Sequence, residues 1–148
     1  MTAKIYNFRQ PLDKFKRGTK FGAVDDAHPN GHRGDDYNGV PEGTALKAVA
    51  NGKVAAIMFS KALGNIVVFQ VGSRFFGYCH MQKPCKWKVG SVLKSGTIIG
   101  FVGNTGTASS GDHLHLTLGD SPLSVIQGEV YSAYDFIADK IEEEKKAA

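Results

Sequence analysis

The sequence predicts a mainly β fold that is rich in turns and carries a single helix at its C-terminal end. The chain has 148 residues, and 18 of them are glycine, which is typical of short strands separated by tight turns. Apolar and polar residues alternate in several short segments, as strands with one buried face require. Only one segment, near the C-terminus, has apolar residues at helical spacing.

Length and composition predict one globular domain over residues 1–148, with a lead-in at 1–20 and a core at 21–118. Hydrophobic residues make up 42% of the chain and charged residues 22%, which are globular values. No apolar run approaches the ~20 residues of a membrane span, so membrane insertion is not expected. No signal peptide is predicted either. A protein acting outside the cytoplasm would then need another route of export or release.

The formal charge of +4 excludes little by itself. The charges look spread out, without an arginine-rich block, so nucleic-acid binding is not expected. A mildly basic chain also suits a polyanionic surface such as a bacterial wall. The two cysteines, Cys79 and Cys85, could form one disulfide or remain thiols.

The middle of the chain reads as turns and strands in alternation. Residues 21–43 are dense in turn-forming residues and form a loop with one short strand. Strand-like segments at 44–50 and 53–59 flank Asn51-Gly52, which predicts a hairpin. Two more strands are predicted at 66–71 and 75–81.

The helix is predicted over residues 131–146. Ser132 can cap its N-terminus, with Asp135 three residues further on. The residues that share its apolar face are Tyr134, Ile137, Ala138 and Ile141.

The segment Ser109 to Leu118 reads as a turn followed by a strand that contains His113 and His115. Side chains two residues apart on a strand point to the same face. Two neighbouring imidazoles suit a metal ion, or a metal ion with a proton-transfer group. The alternative is a pair of exposed histidines on a strand that buries its leucines.

A second candidate pair, His32 and Asp36, lies in the turn-rich loop. On a straight strand these residues would be roughly 13 Å apart at ~3.3 Å per residue, so sharing an ion requires a bend, which Gly34 permits. Two histidines, a carboxylate and room for water are the composition of a catalytic zinc site. Such a site lowers the pKa of bound water toward ~7 and polarises a carbonyl. The spacing leaves open which of His113 and His115 is the ligand.

Four motifs occur in an order that resembles the LytM/lysostaphin-type zinc metallopeptidases of the M23 family. They are His32-x-Gly34-x-Asp36, Tyr78-Cys79-His80-Met81, Gly103-Asn104-Thr105-Gly106 and Gly111-Asp112-His113-Leu114-His115. The resemblance covers about Phe21 to Leu118.

The resemblance implies an antiparallel β-sheet groove with one Zn²⁺ per chain on its floor. It assigns His32, Asp36 and His115 as zinc ligands, and His80 and His113 as catalytic histidines that do not bind the metal. It further implies an endopeptidase that acts on the stem or cross-bridge peptides of peptidoglycan and leads to wall lysis. We expect the protein to be a monomer.

Some residues depart from the family pattern. Asp35 stands where an apolar residue is usual, and we expect it to face solvent instead of supporting the site. Cys79 is expected to pack in the core, and His28 to belong to loop structure or to the edge of the substrate site.

Two other function classes are alternatives to a phage or bacterial wall peptidase, which without a signal peptide would be released by phage lysis or carried in a virion. The first is a LytM-like module without activity that binds peptidoglycan or regulates another hydrolase; such modules lose metal ligands. The second is a lipoyl- or biotinyl-type carrier, which needs an exposed lysine at a hairpin tip, and Lys53 is the candidate.

Overall fold

The computed structural model describes residues 6–147. Its regular elements are β1 (Lys16–Arg17), β2 (Asp35–Asn38), β3 (Ala45–Lys47), β4 (Gly52–Ser60), β5 (Gly64–Val71), β6 (Arg74–Met81), β7 (Val92–Leu93), β8 (Ile98–Phe101), β9 (Leu114–Gly119), a 3-10 turn (Pro122–Val125), β10 (Val130–Tyr131) and α1 (Ala133–Ala147). Within these residues no helix combines the length and apolar character needed to cross a bilayer.

The strands form one large antiparallel sheet and one small one. The order in the large sheet is β1-β2-β9-β6-β5-β4-β7, with β10 also paired to β9, and the small sheet consists of β3 and β8. The predicted mainly β, antiparallel fold with a C-terminal helix is therefore confirmed. The late strand β9 inserts between β2 and β6, which brings distant parts of the chain side by side.

Both faces of the large sheet are covered. Along β5, Val67 and Phe69 belong to the main core, whereas Ile66 and Val68 belong to a smaller cluster on the opposite face. This alternation follows from the two-residue period of a strand. The main core also includes Ile137, so α1 packs on the face that the small sheet covers.

The hairpin predicted at Asn51-Gly52 is wrong. The segment before it, β3, pairs with β8, while β4 pairs with β5 and β7. Gly52 is the first residue of β4, and an added Cβ there would stand 2.3 Å from the carbonyl oxygen of Gln70. The glycine is thus needed for a close approach between strands and not for a tight turn.

The helix is confirmed with a shifted start, at Ala133 instead of residue 131, because Tyr131 pairs in β10. The amide of Asp135 donates to Oγ of Ser132 at 3.2 Å, as the predicted cap requires. The C-terminal part of α1 binds the lead-in segment through hydrogen bonds. One carboxylate, of Glu144, accepts the backbone N–H groups of Tyr6, Asn7 and Phe8.

Candidate metal centre

His32, Asp36 and His115 meet in one cluster. Their potential ligand atoms all lie within 4.8 Å of one another. Oδ1 of Asp36 is 3.4 Å from Nε2 of His32 and 3.1 Å from Nδ1 of His115. Ligands bound at ~2.0–2.1 Å in a tetrahedron are roughly 3.3 Å apart, so the two separations from Asp36 match ligands of one ion. The three residues could hold a metal.

Strand pairing places two of these side chains, and a bend places the third. Asp36 on β2 and His115 on β9 are direct partners in the sheet, so their side chains share a face. His32 precedes β2, and the chain bends at Arg33 and Gly34. The Arg33 guanidinium donates to the carbonyl oxygens of Ser124 and Gly128, at 2.8 and 2.9 Å, and so holds the bend.

Gly34 lets the bend lie against β9. A Cβ at this position would stand 2.7 Å from the carbonyl oxygen of Leu116 and 2.8 Å from the His115 ring. The expected bend is present, and the glycine serves it by giving close approach to His115.

Two more histidines border the cluster. Nδ1 of His80 lies 2.6 Å from the carbonyl oxygen of Thr105, and Nδ1 of His113 lies 2.8 Å from that of Gly111. Because a carbonyl oxygen only accepts, each Nδ1 carries a hydrogen, and in the neutral ring Nε2 carries the lone pair. Nε2 of His113 is 3.7 Å from Oδ1 of Asp36, and the His80 ring centre is 5.0 Å from that of His113.

The backbone of His80 is held in a conformation that side chains rarely adopt. Its φ is 59°, in the left-handed region that favours glycine. Such strain persists where the surroundings over-determine it, and it clusters at functional sites.

The electrostatics of the cluster favour the protonation states that a metal requires. Burial lowers the pKa of His32, and it lowers the pKa of His80 to about 4. Burial opposes ionisation of Asp36, but the hydrogen bond to His115 and the charges of the surrounding histidines hold its pKa below the usual range. Neutral imidazoles beside an ionised carboxylate are the forms that bind a metal ion.

The lowered pKa of His80 predicts acid sensitivity of the fold. An unfolded histidine titrates near ~6.5, so between that value and about 4 the unfolded chain binds more protons than the folded one. The stability that depends on neutral His80 is fully present above about pH 6.5 and is lost as the pH falls toward 4. We expect the Tm, measured with a chelator present, to fall over this window. His80→Gln should flatten the fall, and an unchanged slope would contradict the assignment to His80.

Asp35 is not exposed to solvent as expected. It is 1% exposed, and its carboxylate accepts from Arg17, the Phe21 amide, Ser132 and the Tyr134 amide. The alternation along β2 puts Asp35 on the same buried face as Tyr37, a signal that could have identified it.

The structure also locates the other residues that the sequence singled out. Cys79 and Cys85 are free thiols, and Cys79 is buried in the smaller cluster, which confirms its packing role. Nδ1 of His28 lies 2.8 Å from Asp25, and its ring centre is 4.4 Å from that of His32, at the rim of the cluster. Lys53 lies within β4, not at a hairpin tip, so the carrier interpretation loses its attachment site.

An open cluster of two histidines and one carboxylate, with two further imidazoles beside it on an antiparallel sheet, is typical of metal-dependent hydrolases. The model of Peptidase family M23 matches residues 30–131. The chain belongs to this family, which confirms the resemblance found in its motifs.

Several known proteins are similar to this chain in sequence and in fold. Peptidoglycan DD-endopeptidase ShyC of Vibrio cholerae is 34% identical over 113 residues, which are 72% of this chain and 25% of that protein. The catalytic domain of lysostaphin from Staphylococcus simulans superposes with a TM-score of 0.72 at 27% identity, covering 84% of this chain and 92% of that one. A zinc-containing peptidase from Vibrio cholerae superposes with a TM-score of 0.68 at 27% identity, over 78% of this chain and 36% of that one.

The curated relatives are much longer than the matched region. The chain spans 25% of the length of ShyC and 22% of the length of lysostaphin.

Proposed function

We propose that this chain is a zinc-dependent endopeptidase that hydrolyses peptide bonds in the stem or cross-bridge of peptidoglycan and acts at the bacterial cell wall. The observation that carries the proposal is the spacing of His32, Asp36 and His115 beside two histidines whose Nδ1 atoms are already bonded to carbonyls. The relative that is named as a peptidoglycan DD-endopeptidase supports the substrate class.

His32, Asp36 and His115 fit a zinc ion in number, chemistry and spacing. The set offers two nitrogens and one oxygen, the composition of catalytic zinc sites, which keep a fourth position for water or substrate. Zinc bound there would supply an activated water and polarise the scissile carbonyl.

The chain's own residues would manage the protons. In the neutral rings, Nε2 of His80 and of His113 can accept a proton from the attacking water, and the Nδ1 bonds fix the orientation of each ring. Once protonated, the same Nε2 atoms can donate to the leaving amine or stabilise negative charge on the carbonyl oxygen. The pKa of about 4 for His80 keeps that ring neutral and able to accept at neutral pH.

The test combines metal content with chemistry on walls. We expect the purified chain to carry about one zinc and to release new amino groups from purified peptidoglycan as turbidity falls. A chelator should abolish the release, and added zinc should restore it.

Two outcomes contradict this proposal in different ways. If zinc is bound and walls of several cross-bridge types release no new amino groups, the substrate class is wrong. If the protein binds walls without taking up zinc, the regulatory module is the better interpretation.

A further inference from the structure

The charges of this chain are segregated along the sequence, so the expectation that they are spread out is wrong. Residues 43–111 contain eight basic residues and no acidic one, so all 14 acidic residues lie before or after this stretch. The stretch includes β4, β5, β6, β7 and β8. Five of the eight basic residues lie in the loops before and after these strands, and they are Lys61, Lys83, Lys86, Lys88 and Lys94.

Most of these cations are available to a partner. Arg74 and Lys47 are paired, with Asp120 and Asp13. Within residues 43–111, the lysines that are exposed and form no ion pair with the residues that the structure describes are Lys53, Lys61, Lys83, Lys86, Lys88 and Lys94. Unpaired like charges concentrated on one surface raise the local concentration of anions.

A cavity of about 430 Å³ opens within this basic region, and we name it the Trp87 cavity. Its lining includes Gln82, Lys83, Lys86, Trp87, Ile98 and Phe101. The indole Nε1 of Trp87 donates to the carbonyl oxygen of Ile98 at 2.9 Å, which fixes the ring, and the residue is still 40% exposed. The cavity thus presents a fixed aromatic surface with two ammonium groups beside it.

The lining of the Trp87 cavity contains none of the four site histidines and not the Asp36 carboxylate, but hydrogen bonds connect it to the rim of the metal centre. The amide of Gln82 donates to the Glu42 carboxylate at 3.0 Å, and the backbone N–H of Glu42 donates to Asp112 at 3.3 Å. Asp112 directly precedes His113. A polymer held in the cavity would therefore lie close to the rim of the metal centre.

We propose that the Trp87 cavity binds an anionic glycan, a chain of sugars that carry carboxylate or phosphate groups. The C–H bonds on one face of a sugar ring would pack on the electron-rich face of Trp87. Lys83 and Lys86 would pair with the acidic groups. Under the proposed function, this site would hold wall polymer beside the peptidase centre, but the binding itself requires no catalysis.

The composition of the cavity favours a glycan over a nucleic acid or a membrane. Its cations are lysines, which act as point charges, and not arginines, whose planar fork suits bidentate recognition of phosphates and bases. It offers one fixed tryptophan, whereas single-stranded nucleic acids are bound by several aromatic rings that stack successive bases. The hydrogen bond to Ile98 holds the indole against the protein, whereas the indole of a membrane anchor would project from the surface.

Trp87 is the single tryptophan of the chain and so reports on its own cavity. The experiment titrates the metal-stripped chain with oligogalacturonate at low salt and follows tryptophan fluorescence. We expect a saturable change, with binding at least about tenfold weaker for a neutral maltooligosaccharide of equal length. Because no metal is present, the result does not depend on the peptidase proposal.

Variants separate the cavity from general charge. Lys83→Gln with Lys86→Gln should weaken oligogalacturonate binding about tenfold, whereas the matched double change Lys140→Gln with Lys145→Gln on α1 should leave it unchanged. Trp87→Ala should also weaken oligogalacturonate binding, which is then measured by calorimetry because the fluorescent residue is lost. Thermal unfolding confirms that this variant is folded.

Three results would overturn the proposal. One is the absence of any fluorescence change, and another is equal weakening by the two double variants, which would indicate nonspecific attraction. The third is tighter binding of single-stranded DNA or phosphatidylglycerol vesicles than of oligogalacturonate, which would assign this surface to another class of partner.

Discussion

Replacing His115 with alanine is expected to remove the bound metal and the peptidase activity together. The candidate site offers three ligand atoms, and removing Nδ1 of His115 leaves one imidazole and one carboxylate. Loss of groups that merely support ligands already costs about 10–100-fold in metal affinity, so loss of a ligand should exceed that. Zinc content after dialysis and amino-group release from walls measure the two effects.

His113→Ala is the matched control, because His113 lies two residues away in the same histidine pair. Its Nδ1 is bonded to the Gly111 carbonyl, and its Nε2 is 3.7 Å from Asp36, beyond the 3.1 Å that separates His115 from the same atom. We expect this variant to keep the metal and to lose about 10²–10⁴-fold in rate, the usual contribution of a proton-transfer group. Metal loss in His113→Ala with retention in His115→Ala would reverse the assignment.

His113 and His115 show which features of the site the sequence can predict and which it cannot. Alternation alone places both histidines on one face of a strand. The difference arises because β9 begins at Leu114, so His115 is a full sheet partner of Asp36, whereas His113 forms only an isolated bridge with Gly103. Strand register is decided by contacts between distant segments, which a local pattern does not contain. The motif resemblance supplied that information.

Short sequence motifs predicted the structure correctly where it depends on residues close in sequence, and they failed where it depends on distant segments. The Ser132 cap is such a local signal, because both groups of the bond lie within four residues. Asn51-Gly52 carries the same kind of signal, yet the side chain of Asn51 accepts from the distant Ser95 amide, and Gly52 enters a strand. Tertiary contacts overrode turn propensity there.

Asp35→Ala is expected to give the largest loss of stability among single changes near the site. The carboxylate joins the lead-in to the start of α1. Oδ1 accepts from Arg17 at 3.1 Å and from the Phe21 amide at 2.9 Å, while Oδ2 accepts from Ser132 at 2.9 Å and the Tyr134 amide at 3.1 Å. Arg17 also stacks over the Tyr134 ring, 3.6 Å from its centre.

Alanine would leave these donors without an acceptor in a place where water has little access. Breaking one side of a buried charge pair costs about 3–5 kcal/mol. For a chain of this size, that corresponds to a fall in Tm of roughly 6–20 °C. Asp13→Ala is the matched control, because Asp13 also pairs with two cations but is exposed, and its Tm should stay close to that of the unchanged chain.

Asp35→Asn separates charge from hydrogen bonding. Asparagine keeps one carbonyl oxygen but turns an NH₂ group toward donors, so we expect an intermediate loss in Tm. The loss should be the same with a chelator present, since Asp35 acts on the fold and its neighbour Asp36 is the metal-facing residue. If Asp35→Ala unfolds at the same temperature as Asp13→Ala, the network of Asp35 does not hold the lead-in and α1 together.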